Sequence, residues 1–257
     1  MKNRVIGSFI ILFLFIGSLS LGSKIFNILM CLCGIISFIE LFEIKFEKDK
    51  LFIKIMGVLN VLAILANMII YNSYNYALYI IPILSLILPI LIYNDKKKYN
   101  ITDAIYVLGI CYFISISFSS IIKICNIDIL KCVYIFVVAF ITDTYAFIGG
   151  NLIGRTKLSN ISPNKTVEGT LIGVILGTMI GTVYYYNFIG SDLLFVIFMS
   201  LVLSIVGEIG DLVFSYIKRD FNKKDYSNII PGHGGMLDRF DSVIFIALVF
   251  MIFLNFI

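Results

Sequence analysis

Apolar runs separated by short, lysine-rich polar segments fill the chain from end to end. Nine such runs occur, at Val5–Ser23, Ile25–Ile39, Ile55–Tyr71, Tyr76–Tyr93, Ala104–Ile122, Cys132–Ile153, Gly169–Ile189, Leu193–Ile217 and Val243–Ile257. About 20 apolar residues cross a bilayer as one helix. The pattern therefore predicts an all-α, polytopic integral membrane protein of nine spans. The second and ninth runs are only 15 residues long and are expected to extend, through Glu40–Phe42 and back towards Asp238. The first run follows Lys2 and Arg4 and contains Ser20-Leu21-Gly22, a combination that cleaved signal peptides share. Its 19 residues are membrane-length, and it is read as a retained helix.

Composition agrees with the pattern. Residues of the AVILMFWYC class make up 60 % of the 257 and charged residues 14 %, with a mean hydropathy of +1.02. A soluble domain cannot bury that much apolar surface in one core, and the same numbers exclude disorder and nucleic-acid binding. The net charge of +4 gains meaning once located. With nine spans, 17 of the 20 lysines and arginines fall beside the N-terminus and the even-numbered loops, leaving Lys24, Lys123 and Lys131 opposite. Positive charge concentrates on the cytoplasmic side, so the N-terminus is expected there, in a bacterial-type inner membrane. The five cysteines (Cys31, Cys33, Cys111, Cys125 and Cys132) show no metal-ligand spacing and read as small apolar fillers.

No internal repeat is visible, but the character of the chain changes. Residues 1–130 read as membrane helices with lysine-rich loops (spans 1–5), and 131–257 as a catalytic region (spans 6–9) with polar loops at 154–168 and 215–242. Ionisable groups inside spans are costly and by default mark function. Asp143 lies in the sixth span, Glu208 and Asp211 in the eighth, and Asp238 and Asp241 open the ninth. Both pairs are spaced i, i+3, which puts each pair on one helix face. Asp211 stands six residues before Ile217, roughly 9 Å from that end at 1.5 Å per residue. With Glu168 at the start of the seventh span, six carboxylates are expected in the cytoplasmic half of the membrane. Salt bridges to Lys218, Arg219 and Arg239 would be the plain structural use for them. Acids one turn apart, however, repel unless a cation intervenes, and clustered Asp/Glu is the natural ligand set of Mg²⁺, which is usually shared with phosphates.

The adjoining loops supply the opposite charge. The segment from Ser215 to Asp241 contains Lys218, Arg219, Lys223, Lys224, the run Pro231-Gly232-His233-Gly234-Gly235, and Arg239. Lysine and arginine bind phosphate oxygens directly, and a glycine-rich turn before a helix start exposes N–H groups to an anion. Ser162-Pro163-Asn164-Lys165-Thr166 leads into the seventh span in a similar way.

These residues resemble the phosphatidate cytidylyltransferase (CDP-diacylglycerol synthase) family. Its signature, Ser-x-apolar-Lys-Arg, then Lys-Asp, then His-Gly-Gly-x-x-Asp-Arg-x-Asp, is similar to Ser215–Asp241 throughout. An upstream feature resembles Asp143-Thr144-Tyr145-Ala146-Phe147, Gly150, Gly154 and Ser162–Gly169. The resemblance covers roughly residues 140–257. It implies the reaction of CTP with phosphatidate to give CDP-diacylglycerol and pyrophosphate, with Mg²⁺ required and a second metal or monovalent cation allowed. It also implies a homodimer. Within that reaction Asp211 and Asp238 are expected as metal ligands, with Asp241, Glu208 and Asp143 orienting them or completing the shell. Lys165, Ser162, Lys218, Arg219, Lys224, Arg239 and the His233-Gly234-Gly235 turn are expected to hold the triphosphate and the lipid phosphate. Two alternatives stand beside it. One is a CTP-using enzyme of another lipid, such as a polyprenol or phytol kinase; the other is an ion-coupled transporter using the intramembrane acids.

Overall fold

A spanning segment must satisfy its own backbone polar groups, which a helix does and an irregular apolar run does not. A computed structural model of the chain describes residues 14–46, 50–72, 75–93, 99–159, 161–163, 165–227, 229 and 234–256. Among these residues there is no strand; an isolated bridge joins Lys157 and Thr166. Residues 14–20 are helical, and a turn at Gly22 with φ 110° follows. The chain continues as α1 (Ser23–Phe46), α2 (Leu51–Tyr71), α3 (Tyr76–Ile87), α4 (Pro89–Tyr93) and α5 (Ile101–Ile127). Then come α6 (Ile129–Ile153), α7 (Val167–Phe188), α8 (Leu193–Asp220) and α9 (Leu237–Phe253). Six of them, α1, α2, α5, α6, α7 and α8, are long and apolar enough to cross a membrane.

Each expected run from the second onward forms a helix, with instructive differences at the ends. Most of the expected first span lies outside the described residues. The second run extends past Glu40 to Phe46. The fourth is divided at Leu88, because Pro89 has no N–H to continue the ladder but is well suited to the first position of a new helix. The fifth reaches back to include Asp103, whose carboxylate pairs with Lys45 at 3.1 Å and also with Lys50. The ninth begins at Leu237, so Asp238 and Asp241 lie within its first turns.

The chain divides into two compact units, Met1–Asn126 with Asp225–Asp238, and Ile127–Lys224 with Arg239–Ile257. In the first, Phe26, Met30, Phe38, Phe42, Leu65 and Phe118 are fully buried. Gly34 and Gly57 let side chains of neighbouring helices approach: a Cβ on Gly34 would stand 2.9 Å from Leu65 Cδ1, and Gly57 lies under the Phe38 ring. In the second, Tyr134, Tyr185 and Phe250 form an aromatic cluster, with Tyr134 at 4.9 Å from Tyr185 and 5.5 Å from Phe250 between ring centroids. The buried Tyr134 hydroxyl shares a 2.8 Å hydrogen bond with Ser200, as a phenol removed from water requires.

Glycine decides how closely the helices of the second unit pack. Gly169, Gly173, Gly177 and Gly181 recur every fourth residue along α7 and all are buried. A Cβ on Gly173 would come within 2.6 Å of the Thr142 carbonyl oxygen, and one on Gly181 within 2.9 Å of Val138. Lipid supplies no hydrophobic drive between helices, so close packing of small residues takes that part. On α8, a Cβ on Gly210 would stand 2.9 Å from the Asp241 carbonyl oxygen, and one on Gly207 2.9 Å from Ile246. These stripes bring the backbone beside Asp143, Asp211 and Asp241 together.

Candidate active site

The segment between α6 and α7 is folded tightly on itself. Glu168 accepts hydrogen bonds from the backbone N–H groups of Arg155 (3.1 Å) and Thr156 (3.2 Å), and Thr166 caps α7 by accepting from Gly169 N–H at 3.2 Å. Backbone bonds from Leu158 to Lys165 (2.9 Å), Val167 to Thr156 (2.9 Å) and Lys165 to Ser162 (3.0 Å) complete the turn. Glu168 is thus occupied in shaping this loop and does not join the other acids. Ser162 contributes its backbone carbonyl to Lys165 and its N–H to the Ser159 hydroxyl at 3.2 Å.

This loop delivers Lys165 to the carboxylates of α8. Its ammonium lies 2.8 Å from Glu208 Oε2 and 2.6 Å from Asp211 Oδ2. Burial works against the charge on Lys165, but the two flanking carboxylates outweigh it and hold the lysine above its usual range. Asp211 also accepts from the Ser215 hydroxyl at 3.3 Å. On α6, Asp143 accepts from the Ser242 hydroxyl at 2.9 Å. It stands within electrostatic reach of Asp211, Lys165 and Glu208. Asp241 accepts from the Ser242 N–H at 2.9 Å and lies within electrostatic reach of Asp211, Asp143 and Lys218. Four acids singled out in the sequence are thereby gathered within one unit. The cation bonded to both Glu208 and Asp211 is Lys165, a partner not among the Lys218, Arg219 and Arg239 named from the sequence.

At the C-terminal end of α8, Arg219 Nη1 donates to the Lys223 carbonyl at 3.3 Å, and the Lys223 N–H donates to the Lys218 carbonyl at 2.8 Å. Lys224 and Arg239 are exposed.

In the first unit, Asp238 Oδ2 accepts from Gly235 N–H at 2.8 Å and Tyr226 N–H at 3.1 Å. Gly234 has φ +83°, and a Cβ there would come within 2.8 Å of the same oxygen, so glycine is required on both counts. His233 lies outside the described residues. Glu40, which the sequence offered only as an extension of the second run, is buried here and accepts from Ser227, Met236 and Leu237. A charge at the edge of an apolar run reads as a boundary, and that concealed it.

The donor chemistry suits a hard cation in kind, being oxygen throughout. Glu208 Oε1 is buried with no hydrogen-bond partner among the described residues, an oxygen with a lone pair to offer. Among those residues, no group of three or more His, Cys, Asp or Glu side chains stands in position to hold a metal ion.

The chain matches the cytidylyltransferase family over residues 2–257. It belongs to that family. It is 32 % identical over 253 residues to the phosphatidate cytidylyltransferase of Staphylococcus haemolyticus, covering 96 % of each chain. It is 32 % identical over 266 residues to the protein of that name from Bacillus subtilis, covering 96 % of this chain and 94 % of the other. For the Staphylococcus aureus (strain COL) protein of that name the identity is 30 % over 254 residues, with 96 % of both covered. Family membership extends over the N-terminal helices, beyond the roughly 140–257 that carry the resemblance read from the sequence. A cytidylyltransferase that embeds its acids in apolar helices is an enzyme of the membrane, and the transporter reading is left without support.

Proposed function

We propose that this chain transfers the cytidylyl group of CTP to phosphatidate, forming CDP-diacylglycerol and pyrophosphate. The observation that supports this reading most is the gathering of Asp143, Glu208, Asp211 and Asp241 around Lys165 and Lys218 within one unit. The relatives' name supplies the substrate pair.

The chemistry asks little of a base, because the phosphatidate headgroup is already an anion. A lipid phosphate oxygen attacks the α-phosphorus of CTP, the bond from that phosphorus to the α–β bridging oxygen breaks, and pyrophosphate leaves with the electron pair. The obstacle is repulsion between two polyanions, followed by the charge that grows on the leaving group. Fixed cations aimed at that charge lower the barrier. Lys165, Lys218, Arg219, Lys224 and Arg239, with the His233-Gly234-Gly235 turn and Ser162, are the groups assigned to the phosphates. Asp211 and Asp238 would hold Mg²⁺, with Asp241, Glu208 and Asp143 orienting them, and a second metal or monovalent cation is compatible with five acids. Bound there, Mg²⁺ would neutralise charge on the reacting phosphates.

The same reading places nine spans in a bacterial inner membrane with the N-terminus and the site on the cytoplasmic face. CTP then arrives from the cytosol while the acyl chains stay in the bilayer. A homodimer is the assembly the resemblance implies. Purified protein given CTP, phosphatidate and Mg²⁺ should release pyrophosphate and form CDP-diacylglycerol identifiable by mass, and EDTA should stop both. Nucleotide-independent behaviour, or release of CDP with a phosphorylated lipid, would overturn the assignment.

A further inference from the structure

Within the first unit, Glu40 of α1 is 2 % exposed. One of its carboxylate oxygens accepts from the Ser227 hydroxyl at 2.6 Å and the Met236 N–H at 2.8 Å. The other accepts from the Leu237 N–H at 2.7 Å. Gly235 presses on the same group, since a Cβ there would stand 2.6 Å from Oε1. Met236 and Leu237 carry N–H groups that the start of α9 leaves without an intrahelical partner. A carboxylate suits that place twice over, as acceptor and as the charge favoured at the positive end of the helix dipole. Caps usually come from the residue just before the helix; this one comes from 196 and 197 positions away.

We infer that Glu40 is a positioning residue for the reaction: it fixes where α9 begins, and so where Asp238 stands. The inference rests on the assignment of Asp238 to the site. Asp238 lies in the first turn of α9 and uses Oδ2 to hold Gly235 and Tyr226 N–H groups. One short turn is therefore gripped by two carboxylates, Asp238 from within and Glu40 from a distant helix. An enclosed carboxylate is tolerated only where hydrogen bonds replace its water, and three donors meet at this one. Loss of the Glu40 acceptors leaves two helix-start N–H groups unsatisfied, and the turn that carries Asp238 loosens.

Glu40→Gln keeps the shape but replaces one acceptor oxygen by an NH₂ donor. By hydrogen exchange and mass spectrometry on the purified protein, the peptide covering 234–240 should exchange roughly tenfold faster, while the rest of the chain changes little. In the same variant kcat should fall about tenfold or more with KM for CTP within about threefold of the wild type. Gly235→Ala, which drives a Cβ into the carboxylate, should give the same pair of effects. In a Glu40→Ala background, where that space is vacated, Gly235→Ala should add little, and this non-additivity is the signature of direct contact. Unchanged exchange at 234–240, acceleration spread evenly over the chain, or strict additivity of the two substitutions each overturns the inference. Should the Glu40 variants fail to assemble, Gly235→Ala in the otherwise wild-type chain decides, by its exchange at 234–240 and its kcat. Exchange needs no turnover, so a wild-type protein that makes no CDP-diacylglycerol would sink the functional reading without touching the cap.

Discussion

Lys165 is the residue on which the site turns. A lysine that reaches two carboxylates from a loop cancels their mutual repulsion. Removing it leaves buried Glu208 uncompensated, which is more damaging than removing both partners. Lys165→Met should therefore destabilise the protein in detergent, and the Lys165→Met/Glu208→Gln double variant should recover part of the loss. A coupling of about 1–3 kcal/mol from thermal melts would agree with two groups in contact; strict additivity would contradict it. The pH dependence has a definite sign. The folded lysine is held above its ordinary value, so its contribution is complete below the unfolded pKa of about 10.4 and is lost only as pH rises through the folded one. The stability difference between wild type and Lys165→Met should thus be level between about pH 8 and pH 9.5. Asp211→Asn and Asp238→Asn should each cut liponucleotide formation by about 10²–10³-fold, the scale for losing one electrostatic contributor at a reacting centre. Full activity in both would exclude the carboxylate assignment.

At the scale of elements, the glycine stripe of α7 makes the site possible. Gly173→Ala forces a Cβ to within 2.6 Å of the Thr142 carbonyl oxygen, and backbone cannot rotate out of the way. A cost of about 1–3 kcal/mol is the usual scale for overpacking, and activity should fall with it because Asp143 neighbours Thr142. Gly109 is the control: a Cβ there meets nothing within 4 Å, and Gly109→Ala should hold or raise the melting temperature. The four-residue spacing of Gly169, Gly173, Gly177 and Gly181 is legible in the sequence, but the backbone it lies against is not. Asp143, Glu208, Asp211 and Asp241 were legible for a firmer reason: a charge inside an apolar run is costly enough to need an explanation. The partner of that charge was not legible. Lys165 meets Glu208 across 43 positions, and no local periodicity encodes which basic residue of which loop makes that contact. Glu40 was hidden by the same lack of local signal, since its partners lie nearly two hundred residues away.

At the scale of the molecule, hydropathy alone predicts an all-helical chain, and among the described residues the apolar runs and the helices coincide apart from their ends and the break at Pro89. Those ends moved where a polar side chain found a partner, as Asp103 did, or where proline broke the ladder, as Pro89 did. The asymmetry of lysines and arginines predicts the orientation. Single cysteines at Lys157 and Lys224, in a variant lacking the native five, should react with an impermeant maleimide from the cytoplasmic face alone, and one at Ser191 from the opposite face alone. Reversal of that pattern would refute the topology. Nucleotidyl transfer itself is tested most directly by following the phosphorus of CTP. With purified protein, Mg²⁺ and phosphatidate, label in the α-phosphate should move into the lipid product while label in the γ-phosphate leaves as pyrophosphate. Label passing from the γ-phosphate into lipid, with the α-label remaining on free CDP, would contradict the account.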